Sequence, residues 1–171
     1  MTRVLIVRHA HAIVLGDDGI ETDFERPLSE LGHEQAKNLA TALTERGIIP
    51  DVLVASPLVR AIQTAEPLRE LLNPEMHEVV ISERLSPGEL RPKKLVEELR
   101  ETGGQLIVIV GHNPDLSHLT AWFLGAPDES FDLKKGAAVM LAFPQGIEKG
   151  TATLEWLVTP KWYQVGVLEA S

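Results

Sequence analysis

The stretch RVLIVRHAHA (residues 3–12) decides how the rest of the chain is read. Its first half is continuously apolar and β-branched, with no alternation of polar and apolar positions. That is the pattern of a strand covered on both faces, and such strands belong to parallel sheets flanked by helices. The run then stops abruptly on Arg8 and His9. A solvated turn would be served by Asn, Gly or Ser, yet here a guanidinium and two imidazoles, His9 and His11, fall within four residues. At this point three readings stand open: a phosphate cradle, a metal site, or a turn with no chemistry.

Working outward, residues 10–27 carry glycine and aspartate without periodicity and read as a long loop, a length usually associated with function or mobility. Ser29 is placed to cap a helix whose apolar stripe is Leu31, Ala36, Leu39, Ala40 and Leu43, closed by Gly47. DVLVAS (51–56) is a second buried strand, and Ser56-Pro57 reads as a capped helix start with proline in the first turn. Pro67 is expected to kink or interrupt that helix. EVVIS (78–82) is a third strand, followed by a helix with Leu95, Val96 and Leu99 on one face. QLIVIVGH (105–112) is the fourth strand, and Asn113-Pro114 opens a helix ending at Gly125. AAVMLAFP (137–144) and TATLEWLVT (151–159), joined by a glycine-containing turn, form an antiparallel hairpin. Strands alternating with helices, then a hairpin, predict a three-layer α/β/α fold. Its sheet is mixed and mostly parallel, with a C-terminal antiparallel hairpin.

The bulk numbers suit a soluble, single-domain chain of 171 residues, residues 1–171, with 44% hydrophobic and 24% charged residues. With no cysteine, disulfides, thiolate metal sites and cysteine nucleophiles are excluded. The longest apolar run, LIVIV (106–110), is far too short to span a bilayer, and no signal peptide is legible. A net charge of −9 argues against a general nucleic-acid or anionic-membrane surface. A cytoplasmic protein is expected. Trp122, Phe123, Trp156 and Trp162 read as core or rim residues, since no basic residues interleave them as a nucleic-acid stacking platform requires. His33 and His118 fall on helices and His77 in a loop, all three read as structural or surface histidines.

Ligands of open α/β sheets bind outside the carboxyl ends of the strands. Three such ends deliver Arg8-His9, then Ser56-Pro57 with Arg60 one turn onward, then Gly111-His112-Asn113. Cations gathered without acids repel one another, so an anion belongs among them. LIVRHAHA resembles the signature of the histidine phosphatase superfamily, an apolar strand followed by Arg-His-Gly or Arg-His-Ala. SPLVRAIQTAE resembles its second motif and VIVGHNP its third, in family order across essentially the whole chain. Length, the ERPLSELG segment and the LSPGEL segment are most similar to the SixA-type phosphohistidine phosphatases.

The resemblance implies a phosphoglycerate mutase-like fold. It makes His9 the nucleophile, with Arg8, Arg60 and His112 holding the phosphoryl group and Arg26 as a further phosphate-contacting arginine. It implies a metal-independent phosphatase working through phosphohistidine on its own chain, without a cofactor. Its partner would be a phosphorylated substrate, such as a phosphohistidine-carrying protein. The chemistry fits: two planar guanidinium forks and an imidazole can neutralise the equatorial oxygens of a transferring phosphoryl group. His112 is expected to be protonated when substrate binds, favoured by the phosphate and opposed by the arginines.

Larger family members place a glutamate two residues beyond the leucine after the third strand. Here Leu85 plus two is Pro87, so Glu83 and Glu89, nearby but off register, read as solvated loop carboxylates, with either of them serving as the general acid as the alternative. Phosphoramidates, with their basic leaving nitrogen, suit such a site better than alkyl phosphates. The alternatives are a small-molecule phosphomonoesterase or phosphoglycerate mutase-like enzyme and, in another class, a phosphate-binding regulatory module. His11 alone beside His9 makes an incomplete metal site, and no metal is expected.

Overall fold

The computed structural model describes residues 1–76 and 78–163. His77, expected in a loop, lies outside the described residues. Six strands, β1 (Thr2–Arg8), β2 (Val52–Ala55), β3 (Val80–Ile81), β4 (Leu106–Gly111), β5 (Ala138–Phe143) and β6 (Thr153–Val158), form one sheet. Their order is β3-β2-β4-β1-β5-β6. β3, β2, β4 and β1 are parallel, whereas β5 runs antiparallel to β1 and β6 to β5. The helices are α1 (Glu30–Thr44), α2 (Val59–Leu72), α3 (Pro92–Glu101), α4 (Asp115–Leu124) and the single turn α5 (Pro160–Tyr163). This is the three-layer α/β arrangement with the closing hairpin that the strand pattern predicts.

Period-two alternation divides the core. Val4 and Ile6 of β1 pack with Leu95, Leu116 and Phe123 of α3 and α4. Leu5 and Val7 face the opposite layer, with Leu39 and Leu43 of α1 and Leu68 of α2. Each fully buried aliphatic side chain stabilises the fold by about 1.5–3 kcal/mol, so β1, with four consecutive buried residues, is clamped from both sides. Among the described residues, no helix is long and apolar enough to cross a membrane.

Several local expectations are revised. Leu31 is 44% exposed, because it sits about 140° around the helix from Ala36. Gly32 and Gln35 take the inward positions. Only glycine fits at position 32, where a Cβ would lie 1.9 Å from the His11 carbonyl oxygen. α2 does not begin at Ser56-Pro57: its first residue is Val59, and Leu58 caps it without a side-chain hydrogen bond. Nor does Pro67 interrupt it. Ala61 and Ala65 before the proline, and Leu68 and Leu72 after it, are all buried in one cluster, and this packing holds the helix continuous. The third strand shortens to two exposed residues because it is a sheet edge, paired on one side with β2 among the described residues. Among the aromatic residues, Phe123 is fully buried, Trp122 and Trp156 pack partly buried against the core, and Trp162 is largely exposed.

Candidate active site

Register brings the three motif-bearing strand ends level. Arg8 pairs with Gly111 across β1 and β4, and Ala55 with Val110 across β2 and β4. The His9 N–H continues the ladder to the Gly111 carbonyl (3.0 Å), and the Ser56 N–H continues it to the Val110 carbonyl (3.0 Å). One residue beyond the last pair, His9 and His112 therefore lie side by side, their ring centroids 5.1 Å apart. Both are buried, as is Arg60.

The hydrogen bonds fix the His9 tautomer. Nδ1–H donates to the carbonyl of Ala10 (2.7 Å), and Arg60 Nε–H donates to Nε2 (3.3 Å), so the Nε2 lone pair is unprotonated. Ala10 is itself held by Thr64 Oγ1, which accepts its N–H at 3.1 Å. Burial first, then His112, Arg60 and Arg8, push the His9 pKa down to about 3, against a raising contribution from the Ala10 carbonyl. His112 is likewise lowered to about 3, first by burial and then by Arg60. Both rings are neutral in neutral solution.

Ser56, freed from capping α2, turns to His112 instead: its Oγ lies 2.8 Å from Nε2. It also accepts the Leu58 N–H at 3.3 Å, and His112 Nε2 is the acceptor within reach of its own hydroxyl proton among the described residues. His112 then carries its hydrogen on Nδ1, and that buried nitrogen has no partner among the described residues. The Arg8 Nε–H is also buried and unpartnered there, while Nη1 donates to the carbonyl of Leu133 (2.6 Å).

Arg26 stands at the rim, not on the floor. Its Nε–H donates to the carbonyl of Ile13 (2.9 Å) and its Nη1–H to Asp23 Oδ1 (2.7 Å). Asp23 also receives Arg60, by Nη1–H to its carbonyl (2.6 Å) and Nη2–H to Oδ2 (2.9 Å). The sequence reading missed Asp23, and with it Ser56 as a partner of His112. An aspartate three residues before an arginine, within a long glycine-containing loop, was the available signal. Lys135 was missed as well. It lines one surface cleft with Arg8, and burial, then the fields of Arg8, Arg26 and Arg60, hold its ammonium below the usual lysine range. It is set there by Gly136, whose N–H donates to the carbonyls of Arg8 (3.2 Å) and His9 (3.1 Å) at a positive φ of 74°. A Cβ on Gly136 would come within 2.7 Å of the Tyr163 hydroxyl.

The remaining histidines lie elsewhere. His11 Nδ1 is 2.7 Å from Ser29 Oγ, the cap of α1, and His33 and His118 are exposed on helices. Glu83 and Glu89 are exposed in the loop after β3. Glu83 accepts the Ser86 hydroxyl (3.2 Å), and Asp115 Oδ2 accepts the Gly88 N–H (2.7 Å), tying the loop to α4. Neither glutamate hydrogen-bonds a member of the histidine–arginine cluster.

Comparison with known proteins accords with this geometry. A sequence profile of the histidine phosphatase superfamily (branch 1) matches residues 4–87, which include the first two strand ends. The phosphohistidine phosphatase SixA of Escherichia coli (strain K12) is 25% identical over 92% of this chain and 94% of its own. The solved structure of the protein histidine phosphatase SixA complexed with tungstate superposes with a TM-score of 0.79 at 22% identity, covering 94% of this chain and 98% of that one. An α-ribazole phosphatase from Shigella flexneri superposes with a TM-score of 0.72 at 24% identity, covering 93% and 97%. With the motifs in order and this fold beneath them, the chain belongs to the histidine phosphatase superfamily, SixA-like in sequence and architecture.

Proposed function

We propose that the protein is a phosphohistidine phosphatase of the SixA type, acting through a covalent intermediate on His9. The observation that carries this reading is the His9 tautomer: a buried neutral imidazole with its free lone pair on Nε2, beside Arg8, Arg60 and His112. Nε2 attacks phosphorus, the bond from phosphorus to the substrate nitrogen breaks, and the departing imidazole nitrogen takes a proton from water. Water then attacks the phosphoryl group on Nε2, inorganic phosphate leaves and the lone pair is restored. As the phosphoryl group arrives, Arg60 Nε–H transfers its hydrogen bond from Nε2 to a phosphoryl oxygen. Arg8 Nε–H and His112 Nδ1–H supply two more buried donors, aimed at the charge carried on the equatorial oxygens. Ser56 lets His112 donate while neutral, so the protonated imidazolium expected from charge arguments is not required. Arg26 and Lys135 add positive charge at the rim.

Phosphohistidine is favoured over alkyl phosphates because its leaving nitrogen is basic, while Glu83 is engaged by Ser86 in its own loop and Glu89 is exposed. An alkoxide leaving group without an acid forgoes a factor of about 10²–10⁴. Competition assays with a phosphohistidine peptide, α-ribazole phosphate, phosphoserine and 3-phosphoglycerate test the assignment. Preference for the peptide in kcat/KM is expected. Preference for any of the phosphate esters overturns it, and absence of turnover with all four points to a phosphate-binding module.

A further inference from the structure

We infer that Asp23 is a positioning residue that holds Arg60 by one edge so that its other edge faces the phosphoryl group; this rests on the reading of Arg60 as a phosphoryl-holding group. A guanidinium has two edges suited to paired hydrogen bonds: the end, made by Nη1 and Nη2, and the side, made by Nε and Nη2. Asp23 grips the end. Its carbonyl oxygen accepts from Nη1 (2.6 Å) and its Oδ2 from Nη2 (2.9 Å). Nη2 carries two hydrogens and gives Asp23 one of them, so the side edge keeps the other together with Nε–H, which lies on His9 Nε2 (3.3 Å). The grip therefore selects which donors meet a group bonded to Nε2.

Two further observations point the same way. The segment carrying Asp23 is tied to the start of α2, where the Val59 N–H donates to the carbonyl of Phe24 (3.2 Å). Arg60 follows Val59, so the loop is fastened beside the residue it holds. Asp23 Oδ1 also takes Arg26 Nη1–H (2.7 Å), so one carboxylate bridges two guanidiniums that repel each other. It is the carboxylate paired with Arg60 among the described residues. An arginine this buried keeps a defined pose only when its charge is both compensated and geometrically held. Asp23 does both while leaving the reacting edge open.

A positioning role and a structural role differ in sign at the phosphate. Removing the carboxylate lets Arg60 turn away from the line of attack, which lowers kcat. It also raises the net positive charge of the site, so inorganic phosphate binds as well as before or more tightly. Asn at this position keeps one acceptor but cannot serve both arginines, since its amide nitrogen is a donor. We expect Asp23→Ala to lower kcat about 10- to 100-fold, with the inhibition constant of inorganic phosphate unchanged or lowered, and Asp23→Asn to fall between it and the parent. Unchanged kcat in both variants overturns the inference, as does parallel loss of kcat and phosphate affinity, the signature of a disrupted site. His9→Ala in the same assay separates the two levels: retained activity there removes the proposed covalent route through His9, whereas its loss beside an intact Asp23→Ala removes only the role of Asp23.

Discussion

The site has a floor and a rim, and they are built differently. The floor, His9, His112 and Ser56, stands one residue past the ends of β1, β4 and β2. Its geometry follows from ladder register in the most buried part of the sheet. The rim, Asp23, Arg26 and Lys135, comes from the loop before α1 and from the approach to β5, placed by side-chain bonds and a glycine turn. Strand register is rigid, and a slip of one residue would reverse every side chain. The floor therefore sets where phosphorus sits, whereas the rim sets how charge is balanced around it. Substitutions on the floor should abolish chemistry, and those on the rim should alter affinity or orientation.

The largest effect is expected at His9. His9→Ala should reduce turnover by at least about 10³-fold. Acid-labile, alkali-stable phosphoryl label should be trapped on the parent protein and not on the variant. Label on serine or aspartate, or a variant with near-parental turnover, would remove the floor from the chemistry. Arg60→Ala comes next, with kcat down about 10²–10³-fold and weaker phosphate binding, measured by steady-state kinetics and phosphate inhibition. Because the proposed charge on the phosphoryl oxygens is met by arginine and imidazole donors, EDTA should leave turnover unchanged, and EDTA-sensitive turnover would break that assignment.

The floor was legible in the sequence and the rim largely was not, for a physical reason. Arg8-His9, Arg60 and Gly111-His112 each end or follow an apolar run, and parallel-sheet topology sends the ends of such runs to one crevice. The same logic gives the two core layers and the closing hairpin. What failed depends on choices between local partners. Ser56 looked like a helix cap because Ser-Pro so often is one, yet its hydroxyl is committed to His112, and α2 begins later. Proline in α2 is locally unfavourable, but burial on both sides of it prevails. Asp23 reaches Arg60 through long-range hydrogen bonds that no periodicity encodes, and Lys135 is set by the glycine turn before β5.

The floor also carries a pH signature of its own. Both floor histidines have folded pKa values near 3 against an ordinary 6.5. Between those limits the unfolded chain binds more protons than the folded one, so stability rises with pH across that window and is lost as pH falls through it. Denaturant titrations at pH 7, 5.5 and 4.5 should show progressively lower stability. The ring signals of His9 and His112 should stay neutral by NMR down to about pH 4. A midpoint near 6.5 for either ring would mean that the floor is far more hydrated than its burial implies.

On the rim, Lys135 sharpens the contrast. Its ammonium is disfavoured by burial and by three arginines, a cost that an incoming phosphoryl dianion offsets. Lys135→Met should raise KM about fivefold, the equivalent of roughly 1 kcal/mol, with little change in kcat. A kcat effect as large as that of Arg60→Ala would place Lys135 with the floor.

The smallest effect is expected just outside the rim, at the two glutamates of the loop after β3. Proton donation needs hydrogen-bond reach to the leaving atom, whereas Glu83 accepts Ser86 and both side chains are exposed. A departing imidazole draws its proton from water, so the Glu83→Gln and Glu89→Gln variants should hydrolyse a phosphohistidine peptide within about twofold of the parent rate. The discriminating measurement is the same pair of variants on p-nitrophenyl phosphate and on an alkyl phosphate. An acid in service shows a loss that deepens as the leaving group becomes more basic, and a bystander shows none. A flat response across leaving groups would confine the chemistry to the floor, and a steep one at either glutamate would extend the active site across the rim to the loop after β3.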